Sequence, residues 1–261
     1  SMRDILTGAG QGGERTPEAA AQENMRPVLP KRFYKSVTVA PGNGDFAVLL
    51  DGKSVRTPAK AVLALPSETA ANLVAAEWQA QQEHIDPATM PVTRLVNTAL
   101  DGVAGNIQPV LEDIVRFASN DLLFYRASFP EVLVENQRNH WDPVLDWIAA
   151  KTGARFETVE GVMHIAQSRE AIMLFSSRLR AYEAPLALAC LHTMTTLTGS
   201  ALIAYALAEG ELDLDAAWAA AHVDEDHNIA QWGEDYEAAK RLEQRHREMQ
   251  AAHDLLVALH R

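Results

Sequence analysis

Two histidine–carboxylate pairs near the C-terminus are the residues of this sequence best spaced for chemistry. Glu243-Gln-Arg-His246 is a Glu-x-x-His run, which on a helix sets two metal donors on one face. His222 and Asp226 stand four apart and offer a second pair. A di-iron carboxylate centre needs the Glu-x-x-His run twice, plus two further glutamates, and the run occurs once. The surrounding segment is dense in Arg and Glu, the composition of an exposed, salt-bridged helix. A metal-dependent or acid–base hydrolase using the His222 to His246 region is therefore kept as the alternative reading. Acidic residues are too abundant for any one catalytic pair to stand out. Other chemistries lack their context. Gly10 to Gly13 follows no strand, so neither a phosphate loop nor a dinucleotide fingerprint is present. No serine sits between glycines at a strand-to-helix elbow. Cys190 is the single cysteine, within the apolar run Leu186-Ala-Leu-Ala-Cys190-Leu191. It reads as a buried structural thiol, and no intrachain disulfide is possible.

A second kind of site is a surface for another polypeptide. Between His222 and Ala239 there are six acids, Asp224, Glu225, Asp226, Glu234, Asp235 and Glu237, and no Lys or Arg. Like charges at helical spacing oppose each other by a few tenths of a kcal/mol per pair. Either a basic partner explains the cluster, through steering and register, or it is a solvated face that aids solubility. Trp232 stands in its middle, as core packing or as an interface anchor. Gly233 beside it can break or bend the helix.

The elements that must carry these residues follow from composition and pattern. The chain has 261 residues and is 48% hydrophobic, enough to bury a core in one large domain or two small ones. Lys+Arg is 23 and Asp+Glu 35, a formal net charge of −12, which disfavours nucleic acid and anionic membrane surfaces. The most apolar stretch, Ala184 to Ala208, is interrupted by His192, four threonines and Gly199. It reads as core helices and not as a membrane span. Ser1-Met2 reads as an addition ahead of the native start. Residues 3 to 26 match neither a secretory signal nor a transit peptide. They read as part of a mobile tail, 1–29, on a cytoplasmic protein.

Residues 30–106 read as an N-terminal α/β domain. Arg32 to Val39, Phe46 to Leu50 and Lys53 to Thr57 are strand-like, with Asp51-Gly52 as a two-residue hairpin turn and Ala61 to Leu65 as a further short strand. Ser67 is placed to cap a helix through Ala70, Leu73, Val74 and Trp78, and Val92 to Leu100 is a short helix. Residues 107–261 read as helical, with a start at Asp142-Pro143 and a small extended excursion over Phe156 to Ile165. Three last helices are expected at about 168–182, 186–208 and 213 onward. The fold class is α+β, a small domain of antiparallel strands followed by a larger helical bundle.

Four stretches together resemble a known family. They are Arg32-Phe-Tyr-Lys35; Leu50-Asp-Gly-Lys-Ser-Val-Arg-Thr-Pro58; Ala76-Glu-Trp78 with Ile85-Asp-Pro87 and Met90-Pro-Val-Thr-Arg-Leu95; and Gln231-Trp-Gly233 with its nearby acids. Over about residues 30 to 250 the chain is similar to the assembly chaperones of the mitochondrial and alphaproteobacterial F-type ATP synthase that act on its alpha subunit, the "Atp-twelve" type. The resemblance implies an α/β domain joined to an orthogonal helical bundle, no enzymatic activity, no cofactor and no metal. It implies that the chain holds the unassembled alpha subunit until that subunit meets beta. An acid just after the Trp-Gly pair matters in the family, four residues after the tryptophan. Tyr236 occupies that position here, which makes Glu237 the first choice and Glu234 the second. The expected partner-binding residues are Glu237, Glu234, Asp235, Trp232, Asp226 and Glu225. The chain is expected to be a monomer, and an adaptor for another protein is the remaining alternative.

Overall fold

Asp51 and Gly52 both take positive φ, 49° and 81°. That geometry matches the twist of the strands they join. The computed structural model describes residues 28–260, so the expected tail, 1–29, and Ser1-Met2 lie outside it but for residues 28 and 29. The hairpin joins β2 (Phe46–Leu50) to β3 (Lys53–Ser54). β1 (Val37–Pro41) flanks β2 on the other side, and β4 (Ala64–Leu65) pairs with β2 as well. All pairings are antiparallel. The Asp51 carboxylate also accepts the Lys35 and Ser36 amides at 3.0 and 2.9 Å. These hydrogen bonds hold its pKa below the ordinary carboxylate value.

α1 (Glu68–Gln79) packs on β1 and β2. As expected, Ser67 Oγ caps it by accepting the Ala70 amide at 3.1 Å. Its inward face is Ala70, Ala71, Val74 and Trp78. Three of the four stretches that carry the family resemblance meet here. Tyr34 Oη donates to the Trp78 carbonyl at 2.5 Å, and Arg32 Nη1 to the carbonyls of Gln79 and Gln81 at 3.0 and 2.5 Å. Glu77 accepts the Val92 amide at 2.8 Å and both the Thr93 amide and hydroxyl at 2.7 Å. It thereby caps α2 (Pro91–Thr98) from outside that helix. Burial pushes the Glu77 pKa up, against those donors. This first compact unit ends at Asp101, inside a π-helical turn, Ala99–Val103, and the second begins at Gly102. The sequence pattern places the boundary at 106/107.

The second unit, Gly102–His260, is mainly helical. It holds α3 (Ile107–Ser119), a strand β5 (Tyr125–Arg126), α4 (Glu131–Thr152) and a strand β6 (Val159–Glu160) that pairs with β5 in parallel. Then come α5 (Arg169–Arg178), α6 (Pro185–Thr198), α7 (Ala201–Ala208), α8 (Leu214–Ala221), α9 (Val223–Trp232) and α10 (Tyr236–Leu259). α7 is the centre of the core, buried at every residue from Ala201 to Leu207. Cys190 is fully buried on α6, and burial raises its pKa. No helix of the described residues is long and apolar enough to cross a membrane.

Three helix boundaries differ from the sequence reading, each for a local reason. Pro143 lies inside α4, which starts at Glu131. Side chains around it hold the helix in place: Trp141 is fully buried, and Asp142 pairs with Arg126 at 2.7 Å. The stretch expected as one helix over 186–208 breaks at Gly199, whose φ is +70°. Ser200 then caps α7, its Oγ accepting the Ile203 amide at 3.0 Å. The Asp121 carboxylate accepts that same hydroxyl at 2.6 Å and the amides of Leu202 and Leu123 at 3.1 and 3.2 Å. Complete burial pushes its pKa up to about 7. The segment expected as one helix from 213 onward breaks at His222 and at Gly233 into α8, α9 and α10.

Candidate partner-binding site

Two side chains of α4 fix where the acidic segment begins. Trp141 Nε1 donates to the Ala220 carbonyl at 2.7 Å. One turn toward the start of α4, Gln137 Nε2 donates to Asp224 Oδ1 at 2.8 Å. Gln137 is buried, and its Oε1 accepts the Ala127 amide at 2.8 Å, so both ends of the amide are used. Nothing in the sequence marked Gln137 or Trp141 as positioning residues. A glutamine and a tryptophan in a long helix have no distinguishing spacing.

The histidine pairs do not form a metal-like constellation. His222 is 4% exposed, and its Nδ1 lies 2.8 Å from the Trp218 carbonyl. That carbonyl can only accept, so the proton sits on Nδ1. The His222 ring lies 4.1 Å from the Trp218 ring, and His246 meets the same indole edge-on at 5.0 Å. Both histidines of the hydrolase reading thus pack around one tryptophan. Among the described residues, no three His, Cys, Asp or Glu side chains gather to hold a metal ion.

The acids fall into two groups at the two ends of α9. Asp224, Glu225 and Asp226 occupy its first turn, all exposed. Carboxylates there face the positive end of the helix dipole and are stabilised by about 0.3–1 kcal/mol each. Half of the cluster therefore has a local structural reason that the sequence reading missed. The other three, Glu234, Asp235 and Glu237, lie across the break at Gly233. The Gly233 amide closes α9 on the Ile229 carbonyl at 2.8 Å, and its φ of 80° with ψ of 174° belongs to glycine alone. Six residues separate Asp226 from Trp232, roughly 9 Å along a helix. Glu225 and Asp226 thus stand apart from the group formed by Trp232, Glu234, Asp235 and Glu237.

That second group is the open one. Gln231 to Glu237 are seven consecutive exposed residues. Trp232 is 87% exposed, which overturns the core reading of this indole. Trp78 and Trp141 are buried, as core tryptophans are. Tyr236 is 69% exposed and lies beneath the Lys240 ammonium, 4.6 Å from ring centroid to Nζ. A hydrogen bond to Tyr236 raises the Lys240 pKa. The first basic residue after the acidic run is thus engaged inside the segment.

A family model described as ATP12 chaperone protein matches residues 31–149. The crystal structure of Atp12 from Paracoccus denitrificans is 35% identical, with a TM-score of 0.82 over 88% of this chain and 98% of that one. The chain belongs to the ATP12 chaperone family. An Asp-to-Lys variant of the P. denitrificans protein is matched at 34% identity and a TM-score of 0.81. An Agrobacterium tumefaciens protein, provisionally described as a chaperone, is 55% identical with a TM-score of 0.88, over 99% of this chain and 97% of that chain. "Protein atp12, mitochondrial" of Schizosaccharomyces pombe is 22% identical over 218 residues, 78% of this chain and 74% of the relative. The family match at 31–149 takes in the first three resemblance stretches, which meet in the first unit. The Trp232 segment lies outside it, whereas the A. tumefaciens match spans 99% of the chain.

Proposed function

We propose that this ATP12-family chain is an assembly chaperone of the F-type ATP synthase that holds the unassembled alpha subunit until it meets beta. The observation that carries the reading is Trp232, a large apolar side chain 87% exposed within a run of exposed acids. A side chain of this kind contributes to binding and little to folding. Glu234, Asp235 and Glu237 flank it and would pair with Lys or Arg on the partner. Glu225 and Asp226 extend the same charge along α9 and speed encounter. An unassembled ring subunit exposes apolar surface, and patches beyond a few hundred Å2 drive aggregation. A holdase must cover such a surface yet release it, which suits an interface that is partly polar. A net charge of −12 keeps the chaperone itself dispersed while its own indole is open.

In this reading the chain turns over no substrate, needs no cofactor or metal, and works as a monomer in the bacterial cytoplasm. The test is light scattering of isolated alpha subunit as it aggregates. Stoichiometric addition of the chain suppresses scattering, and Glu237→Lys weakens that suppression while leaving far-UV circular dichroism unchanged. If aggregation of alpha is the same with and without the chain, the proposal fails. Capture from the native cytosol separates it from an adaptor for another protein, because alpha is then the polypeptide retained.

A further inference from the structure

Outside the acidic segment, the largest exposed apolar side chains of the second unit are Phe129 (80%), Val132 (54%), Val162 (99%), Met163 (77%) and Met173 (65%). Four of these five lie on the chain segments that leave the β5–β6 ladder. β5 and β6 run in parallel, Tyr125 beside Val159 and Arg126 beside Glu160, and the Gly161 amide extends the ladder to the Arg126 carbonyl at 3.1 Å. Parallel neighbours about 4.8 Å apart leave the ladder in the same direction. Phe129 lies three residues after Arg126 on one strand, and Val162-Met163 directly after Gly161 on the other, so both segments leave the same end of the ladder. Val132 sits in the first turn of α4, three residues after Phe129.

Counting along α4 and α9 from the Gln137–Asp224 bond leads Trp232 toward the same segments. The contacts Trp141 to Ala220 and Gln137 to Asp224 step four residues back along α4 and four residues on along the chain into α9. From the end of α8 into the first turn of α9 the chain thus runs opposite to α4, and α9 packs against α4. A further eight residues each way lead from Gln137 to Phe129 and from Asp224 to Trp232. Gln137 also holds the Ala127 amide, tying the Phe129 loop to the start of the acidic helix.

From this geometry we infer that Phe129, Val132, Val162 and Met163 extend the Trp232 site into one apolar face that receives a basic amphipathic helix of the partner. The inference rests on the partner-binding reading above and adds the second half of the surface. Phe129 and Trp232 alone expose on the order of 300 Å2 of aromatic surface, the scale at which a patch marks an interaction site. The rim decides the occupant. Glu131, Glu135, Glu160, Glu234, Asp235 and Glu237 are all exposed on the segments that carry these side chains. Arg126, the cation between the strands, is already paired with Asp142 at 2.7 Å. An apolar stripe bordered by carboxylates complements a helix whose apolar stripe is bordered by Lys or Arg. A second copy of the chain, at −12, would bring acids against acids.

The test uses the full chain and two fluorescent peptides of about 18 residues, five helical turns. One peptide is built of Leu and Lys at amphipathic spacing, the other of Leu and Glu. The Leu/Lys peptide is expected to bind, to weaken as salt is raised, and to lose about tenfold in affinity, about 1.4 kcal/mol, on the double change Phe129→Ser with Met163→Ser. Met173→Ser, also an exposed apolar loss on this unit, is expected to leave binding unchanged, and thermal melts confirm that each variant folds. A photo-cross-linking residue in place of Val162 is expected to join the peptide. Equal binding of the Leu/Lys peptide to wild type and the double variant, equal binding of the Leu/Glu peptide, or no binding at all overturns the inference. A cross-link from position 162 to residues 1–27 of the same chain, or to a second copy, also overturns it. If the Leu/Lys peptide docks as described but alpha subunit is not retained, the docking face stands and the choice of alpha falls.

Discussion

Replacing Trp232 by alanine separates a folding role from a binding role, because its exposure makes the two effects very unequal. An aromatic side chain carries roughly 150–250 Å2. At 87% exposure, only about 30 Å2 of it is withdrawn from water on folding. At about 25 cal/mol per Å2 this is below 1 kcal/mol, and α9 gains helix propensity from the alanine. The remaining surface, about 200 Å2, would contribute up to about 5 kcal/mol if a partner covered it fully. Losses on association reduce that ceiling, and truncation of an anchor of this type costs about 2–4 kcal/mol. Binding to the alpha subunit should therefore weaken about 30- to 1,000-fold. Urea unfolding, followed by circular dichroism, reads the first quantity. Titration calorimetry, or alpha retained on immobilised protein, reads the second. A variant destabilised by more than 2 kcal/mol with binding intact would refute the reasoning, since it would put the indole in the core.

The first unit and the Asp121 site give two further expectations. Glu77→Leu leaves the Val92 and Thr93 amides and the Thr93 hydroxyl without their acceptor. At about 1 kcal/mol or more for each orphaned group, the urea midpoint should fall by an amount equal to roughly 3 kcal/mol. Glu77→Gln should cost less, and equal losses in the two variants would assign the effect to charge and not to capping. Asp121, with its pKa raised to about 7, should give a distinctive pH profile. Below about pH 4 the carboxyl is protonated in both folded and unfolded chains, and its full contribution is present. As pH rises toward 7 the unfolded chain ionises first, so wild type should lose stability by up to about 4 kcal/mol relative to Asp121→Asn. Urea midpoints of the two proteins between pH 4 and 8 measure the difference, and parallel curves would disprove it.

What could be read from the sequence was governed by how local its cause is. The hairpin at Asp51-Gly52 and the cap at Ser67 depend on a few consecutive residues, and both are where the sequence places them. The resemblance stretches stand out for a similar reason. Arg32 and Tyr34 donate to the backbone carbonyls of Gln79 and Trp78, and Glu77 accepts the Thr93 amide, side-chain roles that few other residue types can fill. The boundaries of the late helices were not legible in the same way. Pro143 looks like a helix start until Trp141 and Asp142 are seen anchored on either side of α8 and β5. Gly199-Ser200 does carry a local signal, a left-handed closure followed by a capping serine, but the apolar run around it hides the break. The acidic segment was visible as charge and Gly233 as a place where the helix can break, whereas the exposure of Trp232 depends on packing. The segments of Phe129 and Met163, more than thirty residues apart, are joined by a two-residue parallel ladder that no periodicity announces.

Both amide ends of Gln137 are occupied, one by the loop before α4 and one by the head of α9. From that pin, equal lengths of chain lead outward to Phe129 and to Trp232. Each residue added to or taken from a helix turns everything beyond it by about 100° and slides it by about 1.5 Å. Relatives can therefore exchange side chains along either arm with little effect on alignment, but an insertion or deletion within one arm alone would swing its aromatic tip away from the other. Changes of length in these two segments should occur in matched form or be confined to the loops beyond them.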